Sequence, residues 1–382
     1  MKTIYLDWNA TTPPHPDVLD AMREAAERAW ANPASVHGPG RRARAWVERA
    51  REAVAALTGF DARDVLLTSG GTEANNVALA HAFPPGLPGA LVLCRIEHPS
   101  VVRAAEALAE RGVVVVWVEP EPSGRVEPEA VEAALERAAG VAPVRLVALQ
   151  AVNHETGVLQ PVAEVAGRVH ARGALLHVDA VQAVGRLPQG TWQGADLVAV
   201  AAHKIRGPKG IGALVTRPGV RLRPILHGGA QERGLRPGTQ DPVAAAGFAV
   251  AAERAVGMPP RYAGVAPLRD RLEGELLGLG GAGAMVAIVN GEGPRAPHVT
   301  NISWPGWRGD ELCAALDLEG VAVSSGSACS AGTAEPSPVL RAMVGLERAA
   351  SAVRVSLGED ITEAVLTEVV RRWARVFART LG

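Results

Sequence analysis

The residue whose surroundings most favour chemistry is Cys329, in the stretch VAVSSGSACSAGTAEPSPVL of residues 321–340. Small, polar and flexible residues surround this thiol, whereas Cys94 and Cys313 lie in the apolar contexts LVLC and ELCAAL. A cysteine in an apolar run behaves as an inert hydrophobic side chain, but an exposed thiol among small residues can ionise and act as a nucleophile. The sequence therefore predicts a chemical role for Cys329 and a structural one for the other two.

A second reactive group is predicted at Lys204, in AVAAHKIRGPKG of residues 199–210. This lysine directly follows an apolar strand, where desolvation lowers the pKa of an amine and makes it a better nucleophile. The alternative is a lysine that extends its ammonium group into water, and Lys209 fits that description.

Two further motifs place polar groups where apolar strands end. In LLTSGGTEANN, residues 66–76, a Gly-Gly turn before a helix would present backbone N–H groups that suit a phosphate, although such a turn is often turn chemistry alone. In LLHVDAVQAVG, residues 175–185, a strand delivers Asp179, whose burial would require a cation such as a protonated heterocyclic nitrogen. An aspartate that caps the next turn explains this segment equally well.

Composition narrows the classes of partner. The net charge is −1, with 39 basic and 40 acidic residues, and this balance gives no electrostatic footprint for nucleic acid or an anionic membrane. The N-terminus lacks a signal peptide, and no apolar run approaches the roughly 18 residues of a membrane span. Three cysteines cannot build a disulfide framework, so we expect a cytoplasmic protein. No zinc-binding spacing of histidines and cysteines occurs.

The elements that must position these groups alternate along the first two thirds of the chain. Continuous apolar runs predict strands at Val65–Thr68, Ala90–Cys94, Val113–Val118, Leu146–Leu149, Ala174–Val178, Leu197–Val200 and Gly212–Val215. Helical patterns separate them, at Glu73–His81, Val101–Arg111, Pro128–Ala139 and Pro161–Arg172. Such runs are typical of a parallel sheet covered on both faces, whose ligands bind at the carboxyl ends of the strands.

The composition changes near residues 257–264, and a smaller α+β unit is predicted beyond that point. Its predicted strands include Ile288, Val299–Ile302 and Val321–Val323, and its predicted closing helix is Ile361–Thr380. A length of 382 residues suits this division into two domains.

Together the motifs closely resemble the cysteine desulfurases of the aminotransferase class V group, in the branch with the nitrogenase-associated and iron–sulfur-cluster enzymes. The resemblance runs in order over nearly the whole chain, through YLDWNATTP, NPASVHGPGRRAR, TSGGTEANN, EHPSV, VNHETGVLQP, HVDAVQAVG, HKIRGPKGIGAL, GGAQERGLRPGT, SSGSACSAGTAEPSPVLRAM and VRVSLG. It implies an α/β, fold-type I pyridoxal-phosphate enzyme. The large cofactor-binding domain, with a mainly parallel seven-stranded sheet, would span residues 13–257. A smaller α+β domain, residues 1–12 and 258–382, would carry the long loop of the catalytic cysteine.

The resemblance also implies roles around the cofactor, pyridoxal 5′-phosphate. Lys204 should form the covalent link to the cofactor and act as acid and base at the substrate Cα. Asp179 should pair with the pyridinium nitrogen, and Gln182 should contact the ring hydroxyl. His98 should stack on the ring and exchange a proton with the sulfur.

Its phosphate should be held by Gly71, Thr72 and His203. Thr239, in the RPGT motif, should reach the phosphate of the neighbouring subunit, which implies a homodimer with shared sites.

For the substrate, L-cysteine, the resemblance implies that Asn153 and Arg354 fix the carboxylate, a task suited to a guanidinium. Cys329 should attack the substrate sulfur, become a persulfide and leave L-alanine as the product. The persulfide sulfur would pass to an acceptor protein for iron–sulfur cluster, thio-cofactor or tRNA biosynthesis, and the sequence does not identify that acceptor. A related class V lyase, such as a selenocysteine lyase, is the alternative.

The chain departs from the family pattern in three places. Many members have a serine two residues before the histidine of the His-Lys pair, and Ala201 here removes that hydroxyl from the expected phosphate site. His154 stands where a second asparagine is common, and Trp8 where the N-terminal motif usually has asparagine. The chain also stops at RTLG, without the longer tail that docks a scaffold protein in housekeeping members, so that partnership is not predicted.

Overall fold

A computed structural model describes residues 3–279, 286–326 and 335–380. Its strands are β1 Ile4–Tyr5, β2 Val65–Thr68, β3 Ala90–Cys94, β4 Val114–Val118, β5 Val144–Gln150, β6 Leu175–Asp179, β7 Leu197–Ala201, β8 Gly212–Thr216, β9 Ile288–Val289, β10 Val299–Ser303, β11 Val321–Ala322 and β12 Ala352–Ser356. Its helices are α1 Pro16–Arg28, α2 Gly38–Thr58, α3 Gly71–Ala82, α4 Pro99–Glu110, α5 Pro128–Ala139, α6 Val162–Ala171, α7 Pro242–Ala255, α8 Pro259–Ala263, α9 Ala266–Leu279, α10 Gly309–Leu318, α11 Pro338–Val344, α12 Leu346–Ala350 and α13 Glu363–Thr380.

The central sheet has seven strands in the order β2-β8-β7-β6-β5-β3-β4 among the described residues. Strand β8 is antiparallel to both of its neighbours, and the other pairings are parallel. Successive side chains point to opposite faces, so Val65 and Leu67 enter one apolar cluster and Leu66 enters another. Helices α3 and α4 cover the face of Leu66, and α2, α5, α6 and α7 contribute to the opposite cluster.

The second unit is built around two short sheets, of two and three strands among the described residues, and a cluster of aromatic side chains. Strand β10 pairs with β9 and β12, both antiparallel, and β1 pairs in parallel with β11. Trp304 is fully buried against Trp373, with ring centroids 5.4 Å apart, and Phe377 packs on the same cluster. Helix α13 thus closes this core with its apolar face.

Side chains cover the outer edge of β2, where the sheet ends. The carbonyl of Val65 accepts from Arg51 and Arg233, each at 2.8 Å, and the amide of Leu67 donates to Glu232 at 3.1 Å. Arg51 also forms two hydrogen bonds, of 2.9 and 3.0 Å, with the Glu232 carboxylate. Backbone groups that an edge strand would otherwise leave open are therefore paired by side chains.

The α/β fold class and its mainly parallel seven-stranded sheet, both predicted from the sequence, are confirmed. Each strand predicted for the central sheet is present, with ends displaced by at most two residues. The exact domain boundary at residue 257 stays a prediction. No helix within residues 3–279, 286–326 and 335–380 combines the length and apolar character needed to cross a bilayer.

Candidate active site

The candidate site lies at the carboxyl ends of neighbouring parallel strands. Asp179 is the last residue of β6, and Ala201 is the last residue of β7. A 3₁₀ turn, Ala202–Lys204, follows β7 directly and carries the candidate lysine. The alternation of strands and helices therefore delivers Asp179 and Lys204 to one edge of the sheet.

Asp179 is 8% exposed and is held by two neutral donors. Its Oδ2 accepts from Asn75 Nδ2 at 2.8 Å, and its Oδ1 accepts from the Val181 amide at 3.0 Å. A carboxylate in so little water is costly unless a cation balances its charge. The geometry therefore suits a cationic ligand group at Asp179.

Asn75 connects Asp179 to two other side chains. Its Nδ2 also donates to Ser100 Oγ at 2.9 Å, and its Oδ1 lies 2.9 Å from His177 Nε2. His177 must donate to that carbonyl oxygen, which places the proton of its neutral ring on Nε2. Burial lowers the pKa of His177 to about 4, so this ring remains neutral near pH 7.

His98 is the N-cap residue of α4, and this role defines its tautomer. The Ser100 amide donates to His98 Nδ1 at 3.1 Å, and the Ser100 hydroxyl lies 2.8 Å from the same nitrogen. Because Nδ1 accepts, the neutral ring carries its proton on Nε2. Burial lowers the pKa of His98; the charge of Asp179 opposes this effect and that of Lys204 adds to it.

Lys204 and Gln182 meet at the N-terminal segment of the chain. Lys204 Nζ donates to the carbonyl oxygens of Asn9 and Ala10, the latter at 2.9 Å. Gln182 Nε2 donates to the same Asn9 carbonyl at 2.9 Å. Arg186, fully buried, donates to the Lys204 carbonyl at 3.0 Å and to the side chain of Gln182. The first residues of the chain are therefore part of the site.

The predicted phosphate site faces the N-terminus of α3, which begins at Gly71. A Cβ atom added to Gly71 would lie 2.9 Å from Val181 Cγ2 and 3.6 Å from Ala201 Cβ, so Ala201 is a direct neighbour of this turn. The amides of Gly71 and Thr72 belong to the first turn of the helix, where N–H groups have no intrahelical partner and an anion binds favourably. Ala201 therefore lies next to this anion site, at the position where the serine of many family members would carry a hydroxyl.

The side chain and the carbonyl of His203 both contact the N-terminal segment of the chain. Its Nδ1 is 3.1 Å from Thr11 Oγ1, and its carbonyl accepts from Thr12 Oγ1 at 2.8 Å. Burial lowers the pKa of His203 to about 4, and the positive charge of Lys204 adds to this. A neutral His203 can donate one hydrogen bond to a phosphate but does not supply a positive charge.

The two residues predicted to hold the substrate carboxylate already have protein partners. Arg354, on β12, donates to Asp7 Oδ1 at 2.7 Å and to the His154 carbonyl at 3.1 Å. Asn153 Oδ1 accepts from the amides of Glu155 and Thr156 at 3.0 and 2.9 Å. Their positions are fixed before any substrate binds, and their contact with substrate stays a prediction.

Two residues with predicted roles, Thr239 and Cys329, are not among the side chains that meet at this site in the described residues. Thr239 is exposed, on a segment that the ion pair of Arg236 with Glu73, at 2.9 Å, holds against the first turn of α3. Its role toward a neighbouring subunit stays a prediction. Cys329 lies outside the described residues. Cys94 is buried and Cys313 is partly buried, in agreement with the structural role predicted for them.

A cavity of about 660 Å³ adjoins the site. Its wall includes His154 and Glu155 from the turn after β5, Glu97 before α4, and Arg103 on α4. Burial raises the pKa of Glu97 to about 8, and the charge of Asp179 adds to this, so Glu97 carries a proton near pH 7.

Comparison with known proteins decides the family. The model of the family described as aminotransferase class-V matches residues 4–368. A cysteine desulfurase of Nostoc sp. (strain PCC 7120 / SAG 25.82 / UTEX 2576) is 38% identical over 385 residues, which cover 99% of this chain and 94% of the relative. The chain belongs to the class-V aminotransferase family. The resemblance predicted from the motifs is confirmed with it.

Other relatives extend this finding to the fold. The cysteine desulfurase IscS of Anaeromyxobacter sp. (strain Fw109-5) is 40% identical over 382 residues, covering 96% of this chain and 91% of the relative. A solved structure of a NifS-like protein superposes with a TM-score of 0.87 at 32% identity, over 99% of this chain and all of the other. DndA from Streptomyces lividans gives 0.74 at 36%, over 92% and 99% of the two chains. The fold-type I assignment is therefore confirmed.

Several site residues were not predicted from the sequence. Asn75 lies inside a predicted helix and received no role of its own. Ser100 and Asn9 lie in motifs of the resemblance but were given no role, and Arg186 lies in none of those motifs. An asparagine at a helical position among Ala and Val is a usable signal, because a buried amide requires partners. The contact of Lys204 with Asn9 joins residues 195 positions apart and has no counterpart in local sequence.

Proposed function

We propose that this protein is a pyridoxal-phosphate-dependent cysteine desulfurase, which converts L-cysteine to L-alanine and transfers the sulfur to Cys329 as a persulfide. The observation that supports it best is the grouping of Lys204, Asp179 and His98 at one sheet edge, in a chain of this family. The relatives of this chain named above supply the substrate class.

The described residues fit the cofactor. Asp179 offers a buried carboxylate held by neutral donors, which suits a protonated ring nitrogen, and the start of α3 at Gly71 and Thr72 suits a phosphate. Lys204 offers the amine, and Gln182 and His203 offer polar contacts around it. When bound, the cofactor supplies an electron sink that weakens bonds at the substrate Cα.

The protein groups then carry the remaining steps. Arg354 and Asn153 orient the substrate carboxylate, and Lys204 moves the proton at Cα. His98 carries its proton on Nε2, and this N–H donates a hydrogen bond to the substrate sulfur as the charge on that sulfur changes. Cys329 attacks as the thiolate, so the Cβ–S bond breaks with its electron pair left on carbon and an S–S bond forms. The carbon takes up a proton to give alanine.

The protein's partners follow from the same proposal. It works as a homodimer in which Thr239 contacts the phosphate site of the partner subunit. Its persulfide sulfur passes to an acceptor protein in the cytoplasm, for iron–sulfur cluster or thio-cofactor synthesis. The exposed position of Thr239 leaves its side chain accessible to a partner subunit, which supports this arrangement.

The activity is tested by incubating the protein with L-cysteine and a reductant and measuring sulfide and alanine. Both products should appear in equal amounts, and Cys329→Ala should abolish sulfide release. Cys313→Ala is the matched control, because burial raises the pKa of Cys313 to about 12 and keeps it a thiol. Cofactor bound without sulfide or alanine would refute the proposal. Selenide released in preference to sulfide would instead favour the selenocysteine lyase alternative.

The cofactor link is tested separately by borohydride reduction and peptide mapping. The chain has only three lysines, Lys2, Lys204 and Lys209, so the modified residue can be identified without ambiguity. We expect the reduced cofactor on Lys204, a colourless Lys204→Ala variant and an unaffected Lys209→Ala control. Modification of Lys209 in place of Lys204 would refute this assignment.

A further inference from the structure

His154 packs directly against the candidate proton carrier His98. The ring centroids are 5.1 Å apart and the ring planes meet at 71°, which is an edge-to-face arrangement. The backbone fixes this position, because the His154 carbonyl accepts from Asn9 Nδ2 and from Arg354 Nη1, each at 3.1 Å. The contact is therefore held from both the N-terminal segment and β12.

The His154 ring acts as a packing surface rather than as a hydrogen-bonding group. It is 6% exposed, and neither of its nitrogens has a hydrogen-bond partner among the described residues. Glu155 Oε1 is 3.7 Å from Nε2, beyond hydrogen-bond range. An imidazolium without an acceptor is costly to bury. Burial lowers the pKa of His154 well below its usual value, and the charges of His98, Arg354 and Lys204 act in the same direction.

His154 also lies between His98 and the adjoining cavity. It contacts the His98 ring on one side, and on the other it forms part of the wall of the cavity of about 660 Å³. Two charged groups that act on His98 lie on other elements, Asp179 at the end of β6 and Lys204 in the turn after β7. The His154 ring is thus one of the side chains between His98 and the cavity.

We propose that His154 is a positioning residue: its neutral ring shields one side of His98 from water and so favours the neutral imidazole, whose proton the N-cap contacts with Ser100 place on Nε2. The catalytic consequence rests on the proposed desulfurase function. The asparagine common at this position in the family is smaller and non-aromatic, so it would not place a ring against His98.

The test compares His154→Asn with His154→Phe in the full-length protein. Phenylalanine keeps an aromatic ring against His98 without nitrogens, whereas asparagine opens a path for water. Histidine-selective ¹³C NMR titration reads the pKa of His98, with His98→Asn to identify its signal among ten histidines. Because less desolvation allows protonation more easily, His154→Asn should raise this pKa by about 0.5 to 1, and His154→Phe should leave it within about 0.2.

The same variants should differ in the pH profile of kcat for sulfide release. The acid limb should move to higher pH in His154→Asn and stay in place in His154→Phe. Arg103→Ala, an exposed position on the same cavity wall, is the control and should change neither reading. The NMR reading does not require turnover, so a failure of the proposed activity is distinguishable from a failure of this inference.

Two outcomes would overturn the inference. One is a His98 pKa that is unchanged in His154→Asn or shifted equally in both variants. The other is a His154→Phe variant with an unchanged pKa but a lower kcat and an altered solvent isotope effect, because this would make the His154 nitrogens a proton relay.

Discussion

Replacing Glu232 by alanine should open the edge of the central sheet at β2. Glu232 is 5% exposed. Its carboxylate accepts two hydrogen bonds from Arg51, one from the Leu67 amide and one from Gln240. Truncation would remove all four and leave the Arg51 guanidinium partly buried beside a vacant space.

The size of the effect follows from these contacts. Removing one partner of a buried ion pair costs about 3 to 5 kcal/mol. Arg51 retains the Val65 carbonyl and Glu48 as partners, so we expect the lower end, about 3 kcal/mol. Since about 1.4 kcal/mol corresponds to a factor of ten, opening of this edge should become about 100-fold more frequent.

Native-state hydrogen exchange measures this opening at the Leu67 amide. Its exchange should be accelerated about 100-fold in Glu232→Ala, and amides of the interior strand β6 should be little affected. Glu48→Gln is the control, because Glu48 is a half-exposed partner of Arg51 and its ion pair is worth less than about 1 kcal/mol. An acceleration below about threefold in Glu232→Ala would refute the view that side chains seal this edge.

The same pair predicts a direction for pH dependence. Burial raises the pKa of Glu232, but the hydrogen bonds and charge of Arg51, with the Leu67 amide, outweigh it and leave the pKa below its ordinary value. A carboxyl group with a lowered pKa in the folded state stabilises the protein above its unfolded pKa and ceases to do so as pH falls through the folded pKa. Protection of Leu67 should therefore be constant near neutrality and decline below about pH 4.5, with no such decline in Glu232→Ala.

Three further predictions concern the site. Asp179→Asn should retain cofactor but lower kcat at least about 100-fold, measured as sulfide release, because the charge proposed to balance the ring nitrogen is gone; kcat within threefold of the parent would contradict this. Ala201→Ser should tighten cofactor binding about tenfold, measured by fluorescence titration, since a hydrogen bond to a charged group is worth at least about 1.5 kcal/mol; unchanged affinity would remove Ala201 from the phosphate site. At pH 8 iodoacetamide should modify Cys329 and spare Cys313 and Cys94 until the protein is denatured, because burial raises the pKa of both thiols. Rapid modification of Cys313 would show that its surroundings are more open than described.

The central sheet could be predicted from sequence because each strand is buried on both faces. Ala90–Cys94 and Val65–Thr68 are continuous apolar runs between turn residues, and the structure places these strands at the predicted positions. Burial on both faces determines where such strands form, so the apolar composition of each segment is enough to predict them.

Strand β12 could not be recognised in the same way. Its sequence AVRVS includes Arg354, and only the pairing with β10 and the partners Asp7 and His154 make a buried arginine tolerable. A local pattern cannot contain these partners, because they come from distant parts of the chain.

The hydrogen-bond network of the site also depended on tertiary structure. Asn75 lies between Asp179 and Ser100 only because α3 and α4 cover the same face of the sheet. The sequence identified His154 as a departure from the family pattern, but its contact with His98 required the turn after β5 to meet the start of α4.

His98 has a structural role as the N-cap of α4 in addition to its proposed catalytic role, so two different requirements act on the same side chain. Its Nδ1 accepts from the first turn of α4, and its ring is the proposed proton carrier, so an alanine at this position would remove that proposed carrier and also destabilise the helix start by about 1 kcal/mol. Asparagine retains an acceptor for the first turn and removes only the imidazole, which makes it the cleaner substitution for separating chemistry from stability. Drift at this position is therefore opposed even in descendants that lose the activity, because α4 would still need an acceptor at its first turn.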